Sequence, residues 1–380
     1  MRTKVEKLTF HIPQHIQDLR AYKAGKSLES LTDKRGLTKF AKLASNENPL
    51  GPSPKAIAAA KKCLDQVHLY PDPAAYALRQ ALAKHLAIDS HQLICGSGVD
   101  SLLAYIFMAF SEKNEVILTS KGSFIGTYVN AKKLGRTLKT IGLNNWAYDL
   151  DAIAQAITDN TRIIYLANPN NPTGSMITKT DLQKFLAAVP KNILVILDEA
   201  YYEYACHHKT YPNGIELLGD YSNLIVTRTF SKAYGLAGAR IGYAIADEAI
   251  IDTLNKVKLP FEPSRMGQHM AMAALEDTDF LSRTQKLNRE GLDYFYQSFI
   301  ELGLTFVPNT GSNAIMLYFK DAQTAQHFYH ACFDQGLILR PLGAFGFDHG
   351  IRINTGTQEQ NHFALDVMKK VLGLYAKELL

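Results

Sequence analysis

Four short stretches of this chain place reactive or strongly polar side chains directly after apolar runs. In SNLIVTRTFSKAYGLAGARIGY the run ends at Phe230-Ser231-Lys232, with glycines at 235 and 238 and then Arg240. A lysine at the end of a buried strand is partly desolvated. Desolvation lowers the ammonium pKa and turns the amine into a nucleophile able to form an imine. A solvated surface lysine is the commoner case for any one lysine. In NILVILDEAYYEY, Asp198 follows five apolar residues. A carboxylate buried there needs a partner, and a cationic ring nitrogen would serve. A helix cap or a metal ligand of the Walker B kind is the other reading. The latter requires a Walker A loop. The nearest match, AYKAGKS at 21–27, has Arg20 at the leading glycine position and no strand before it, so a P-loop is excluded. In NPNNPTG (168–174), two X-Pro pairs and a glycine make a rigid turn that holds the Asn171 amide above a strand end. CGSGVDSLL (95–103) is a glycine-rich turn opening an apolar helix. The backbone N–H groups of such a turn, together with the helix dipole, make a ready phosphate cup, although many helices simply start after glycines. The third glycine of G-x-G-x-x-G is missing, so a dinucleotide site is not supported.

Together these four features meet the requirements of pyridoxal 5'-phosphate. Lys232 would form the Schiff base, and Asp198 would keep the pyridine nitrogen protonated as an electron sink. Ser231 and Arg240 would add phosphate contacts to the cup. Phe124, just after EVILTS (115–120), is placed to stack on the ring.

The elements that must position these side chains are readable as well. EVILTS (115–120), RIIYLANP (162–169), NILVILDE (192–199) and SNLIVTRTF (222–230) are uniformly apolar, β-branched runs, and HQLICGS (91–97) is a short strand ending in glycine. Runs of this kind are strands buried on both faces. Helical patterns at 56–66, 74–87 and 100–110 alternate with them, which argues for a mostly parallel sheet in an α/β domain. Ligands of such sheets sit beyond the carboxyl ends of the strands, where Asn171, Asp198, Ser231 and Lys232 fall. Beyond about residue 255, long helical stretches (264–303, 321–336, 358–379) flank the runs AIMLYF (314–319), LILR (337–340) and IRINTG (351–356). The expected fold is therefore α/β. A large domain (51–258) has a mostly parallel sheet flanked by helices and binds the cofactor. A smaller α+β C-terminal domain (259–380) follows, and an N-terminal arm (1–50) packs with it.

The chain resembles the fold-type I, pyridoxal-phosphate-dependent aminotransferases, and within them the branch that acts on histidinol phosphate. The resemblance runs through Y-x-x-G-K (Tyr22–Lys26), ASNENPLGPSP, YPDP, NPNNPTG, LDEAYYEY, FSKAYGLAGARIGY and IRINTGTQEQN. It implies that Lys232 is the Schiff-base lysine and that Asp198 pairs with the pyridine nitrogen. It implies that Asn171 and Tyr201 hold the phenolic oxygen, and that Gly98, Val99, Asp100, Ser231 and Arg240 hold the phosphate. Tyr70, in YPDP, would reach the phosphate of the other subunit, so that a homodimer shares its active sites. Arg352 would grip the anionic end of the substrate, with Tyr22 and Arg340 helping to hold a substrate phosphate. The implied reaction is transamination between L-histidinol phosphate and 2-oxoglutarate. Alternatives on the same scaffold are an aromatic amino-acid aminotransferase and a phospho-amino-acid decarboxylase. The chain departs from the family pattern at Ser101, where an acidic residue usually stands, at Val99, where a small polar residue usually stands, and at Thr127, where tyrosine is frequent.

Composition excludes other classes. The chain has 380 residues, 47% hydrophobic and 20% charged, and carries a formal charge of +5 without a long basic run. That points to anionic small molecules rather than nucleic acid. Its four cysteines show no C-x-x-C spacing, which fits a reducing compartment. The polar N-terminus carries no apolar signal region, and no run reaches the ~20 residues needed to span a bilayer, so a cytoplasmic location is expected. His207-His208 and His11/His15 lack zinc spacing, and no metal is expected.

Overall fold

The computed structural model describes residues 10–19 and 39–379. Its strands are β1 (Ala41–Lys42), β2 (Leu93–Gly96), β3 (Val116–Ser120), β4 (Thr137–Ile141), β5 (Leu143–Asn144), β6 (Ala147–Tyr148), β7 (Thr161–Ala167), β8 (Leu194–Asp198), β9 (Leu224–Thr229), β10 (Gly242–Ile245), β11 (Ala314–Tyr318), β12 (Leu337–Ile338), β13 (Arg340–Pro341) and β14 (Gly350–Asn354).

Seven of them form one sheet in the order β2-β10-β9-β8-β7-β3-β4. Every pairing in it is parallel except those of β10, which runs antiparallel to both β2 and β9. The uniformly apolar runs are its central strands. Alternation along β8 sends Leu194, Ile196 and Asp198 to one face and Val195 and Leu197 to the other, and each set joins a separate core. On the first face, helix Val99–Phe110 buries Leu102, Leu103, Ile106 and Phe107 against Ile163, Tyr165, Ile196 and Ile225. On the second, the residue after Asp198 is a buried acid of a different kind. Both Arg228 Nε (2.9 Å) and Nη2 (2.7 Å) donate to Glu199 Oε2, and the pair is essentially inaccessible to water. Adjacent acids thus have separate duties: Glu199 is matched within the protein, and Asp198 faces the opposite side.

A second core gathers around the antiparallel sheet β11-β14-β13, with Phe295 and Phe299 of helix Thr278–Glu301, Phe328 of Ala322–Asp334 and Met368 of Gln358–Leu379. Ala41 and Leu43 belong to this core, because β1 pairs in parallel with β12. The helical stretch expected over 264–303 is two helices, Arg265–Leu275 and Thr278–Glu301. Asp277 breaks it: its carboxylate accepts from the Phe280 N–H as the cap of the second helix and from Ser53 Oγ. Ala271, Ala274 and Leu275 of the first helix pack into the core of the large sheet. Trp146 lies in the β5–β6 turn and packs against Tyr318 with the rings tilted by 37° and their centroids 4.9 Å apart. No helix among the described residues is long and apolar enough to cross a membrane.

Candidate active site

All the parallel strands, and β2 with them, end at one edge of the sheet, and a pocket opens there. It is lined by Val99 and Asp100 beyond β2, Phe124 beyond β3, Asn171 beyond β7, Asp198 and Tyr201 at the end of β8, and Ser231, Lys232 and Arg240 beyond β9. Sequence order had suggested these residues separately, and topology brings them together.

The β2 corner is built for an anion. Gly98 caps helix Val99–Phe110 at φ 87°, and no side chain caps that end. The first N–H groups of the helix therefore have no intrahelical acceptor and point outward with the positive end of the dipole. A Cβ at Gly98 would stand 2.5 Å from Arg240 Nη2, so only glycine lets the guanidinium close over the cup. Arg240 is itself left-handed (φ 55°). Its Nη1 donates to Ser231 Oγ at 3.4 Å, and Nη2 lies 4.0 Å from Asp100 Oδ2. Ser101 donates to the Gly98 carbonyl, so its hydroxyl supports the turn.

Asp198 is buried on the pocket side. Tyr165 Oη donates to its Oδ2 at 2.6 Å and the Ala200 N–H to its Oδ1 at 3.1 Å, both neutral donors. Burial pushes the carboxyl up to about 6, against the opposing hydrogen bond from Tyr165. Lys232 is half-buried, with Nζ 5.7 Å from the centre of the Tyr201 ring. Tyr201 Oη accepts from Asn46 Nδ2 at 3.0 Å. Arg352, on β14, reaches across from the second core: Nη1 donates to Asn171 Oδ1 and Nη2 to the Ala44 carbonyl. Arg340 on β13 is the direct antiparallel partner of Arg352. Like charges placed opposite each other repel, an arrangement that an anion between them would relieve.

The family model described as aminotransferase class I and II matches residues 38–368. The chain belongs to that family. Among curated relatives, histidinol-phosphate aminotransferase 2 of Hydrogenovibrio crunogenus is 39% identical over 94% of this chain and 95% of its own. The histidinol-phosphate aminotransferase of Brevibacillus brevis is 40% identical over 94% and 98%. Among solved structures, the histidinol-phosphate aminotransferase of Sinorhizobium meliloti, in complex with pyridoxal-5'-phosphate, superimposes with a TM-score of 0.89 at 30% identity, covering 98% of this chain and 99% of that one. The aspartate aminotransferase of Thermus thermophilus, at 18% identity and a TM-score of 0.82, shares the fold.

In this class I and II aminotransferase, the expected site residues Arg352, Arg340 and Tyr70 are not among those lining the pocket. Arg352 touches the pocket wall through Asn171, and Arg340 is its cross-strand partner on the neighbouring strand. Tyr70 is 76% exposed, stacked on Phe261 with centroids 4.3 Å apart, and turned away from its own chain's pocket. Tyr22 and the Y-x-x-G-K stretch lie outside the described residues. Two side chains that touch the site escaped the sequence reading. Tyr165 is hidden inside an apolar strand run, and only its hydrogen bond to Asp198 gives it meaning. Asn46 sits in a loop motif whose contact with Tyr201 spans 155 residues.

The burial of Asp198 predicts a pH signature in the cofactor-free protein. Below its ordinary value of 3.8 the carboxyl is protonated folded or unfolded, and its burial is neutral. Between 3.8 and about 6 the folded state binds more protons, so stability falls as pH rises, and above 6 the full penalty persists. Asp198→Asn should therefore stabilise the cofactor-free protein by up to about 3 kcal/mol at pH 7 and by only about 0.5 kcal/mol at pH 4. Urea unfolding of both proteins across that range checks this. A pH-independent difference would contradict it.

Proposed function

We propose that this aminotransferase carries pyridoxal 5'-phosphate and moves the amino group of L-histidinol phosphate to 2-oxoglutarate, giving imidazole acetol phosphate and glutamate, a step of histidine biosynthesis. The observation that carries the reading is the meeting of Lys232, Asp198 and an uncapped, Arg240-closed helix end in one pocket. The residues fit the cofactor. The open N–H groups at Val99 and Asp100, with Ser231 and Arg240, suit its dianionic phosphate. Asp198, held by neutral donors alone, suits a protonated ring nitrogen. Phe124 offers a ring face, and Asn171 and Tyr201 offer donors for the phenolic oxygen.

When bound, pyridoxal phosphate supplies the electron sink that lets the bond to hydrogen beside the amino group break. The chain does the rest. Lys232 holds the cofactor through its amine. Its Nζ, when free, would be the base that takes the proton from the reacting carbon and the acid that returns it. Asp198 stays ionised beside the ring nitrogen and keeps a proton there. Arg352 gives a bidentate fork for the anionic end of each substrate, and a guanidinium accepts phosphate or carboxylate alike. Arg352 ties the strap 41–44 to the pocket wall, donating to the Ala44 carbonyl and to Asn171 Oδ1.

A phosphate-bearing substrate brings an extra negative charge, and the Arg340–Arg352 pair is where it would be felt. A charge-assisted hydrogen bond contributes about 1.5–3 kcal/mol. Arg340→Gln should therefore lower kcat/KM for histidinol phosphate about tenfold to a hundredfold and lower that for phenylalanine less. Equal losses would favour the aromatic aminotransferase reading.

The same proposal includes a homodimer. Tyr70 and Phe261 stack on each other at the surface, and Leu64, Val67, Leu69 and Leu259, close to them in the chain, are exposed as well. Tyr70 would serve the cofactor phosphate of the second subunit. Mixing Lys232→Ala chains with Tyr70→Ala chains should restore part of the activity that each lacks. A fully active monomer would contradict it. For the domains we place the cofactor-holding unit at 51–258 and the small unit at 259–380, with 1–50 as an arm. Packing of Arg265–Leu275 on the large sheet supports moving that boundary to Asp277. Four unpaired cysteines support a cytoplasmic location.

A further inference from the structure

Asn46 is buried, 1% exposed, in the left-handed conformation (φ 55°). Its backbone N–H donates to Asn354 Oδ1 at 3.1 Å, two residues beyond Arg352. The segment before it is tied to the small sheet by Leu43, which bonds Ile338 and Asn354, and by Arg352 on the Ala44 carbonyl. Its side-chain amide reaches into the site, where Nδ2 donates to Tyr201 Oη at 3.0 Å, while Oδ1 has no partner among the described residues.

A phenol has one proton to give and two lone pairs to receive with. Because Asn46 donates, it occupies a lone pair of Tyr201 and cannot accept the Tyr201 proton. That proton is left to point at whatever acceptor the pocket holds. We infer that Asn46 is a positioning residue for the proposed transamination: its amide commits the Tyr201 proton to the cofactor's ring oxygen and ties that commitment to the strand carrying Arg352. The inference rests on the cofactor reading above.

The test follows the visible absorption of the pyridoxal-phosphate-loaded protein against pH, in wild type and in Tyr201→Phe, Asn46→Gly and Asn46→Asp. Glycine keeps the positive φ and removes the donor. Aspartate keeps the size and tolerates the same backbone, but replaces a donor with an acceptor that turns the Tyr201 proton away. Asn46→Gly should raise the pH midpoint of the absorption change by about half to one unit. Asn46→Asp should raise it at least as far. In the Tyr201→Phe background, Asn46→Gly should change nothing, because the group it positions is gone. A purely structural role would give the same shift in both backgrounds, and that result would overturn the inference. So would an unmoved midpoint in Asn46→Gly. If Asn46→Gly does not fold, an unmoved midpoint in Asn46→Asp overturns it alone. A wild type that takes up no cofactor, or a Tyr201→Phe protein that titrates like wild type, would instead sink the reading of the site.

Discussion

Lys232→Ala is expected to lose at least about 10⁴-fold in turnover, together with the borohydride-reducible bond that fixes the cofactor to the chain. Both losses come from one atom. Nζ is the only lysine nitrogen that lines the pocket among the described residues. It sits at the end of β9, opposite the Asp198 corner, so the same amine holds the cofactor and moves the proton. Borohydride reduction of the wild type, followed by mass spectrometry of its peptides, should find the label on Lys232. Label on another lysine would overturn the assignment, whatever the activity of the variant.

Asp198→Asn is expected to slow the chemical step by roughly 10²–10³-fold or more, with the fold intact. Asparagine cannot keep a proton on a pyridine nitrogen, and a neutral ring is a poor acceptor for the electrons of the broken bond. Single-turnover rates within tenfold of wild type would mean that Asp198 does not face the nitrogen. The same substitution should make the cofactor-free protein more stable at pH 7. One residue thus carries a stability penalty in the empty protein and a catalytic gain in the loaded one, as expected of a charge buried for function rather than for folding. Glu199, its neighbour, makes the contrast: it is matched by Arg228 on the other face and is not among the residues lining the pocket.

Much of this was legible in the residues. The runs that became β7, β8 and β9 are apolar throughout because both faces of the sheet are covered, and the polar residue ending each run had to be the ligand-facing one. Gly98 and Arg240 were visible as a cup and its cation. Other parts were hidden for physical reasons. β4, TLKTI, lies on the sheet edge with no residue fully buried, so it lacks the apolar signature of its neighbours. The break at Asp277 is a single cap inside a helical pattern of more than thirty residues, and its partner Ser53 is 224 positions away. Asn46 read as loop chemistry, since nothing local tells that a left-handed asparagine touches a tyrosine in a strand end far along the chain. Tyr165 read as an ordinary core aromatic, and its hydroxyl matters only because β7 and β8 pair in a register that sets Ala167 beside Asp198.

The most direct test of the whole account is the substrate itself. With purified protein, pyridoxal phosphate and 2-oxoglutarate, kcat/KM is measured for L-histidinol phosphate and for L-phenylalanine by glutamate formed. The arginine pair predicts a preference for histidinol phosphate of at least about tenfold. Equal or greater efficiency with phenylalanine, or no glutamate from histidinol phosphate, would contradict it.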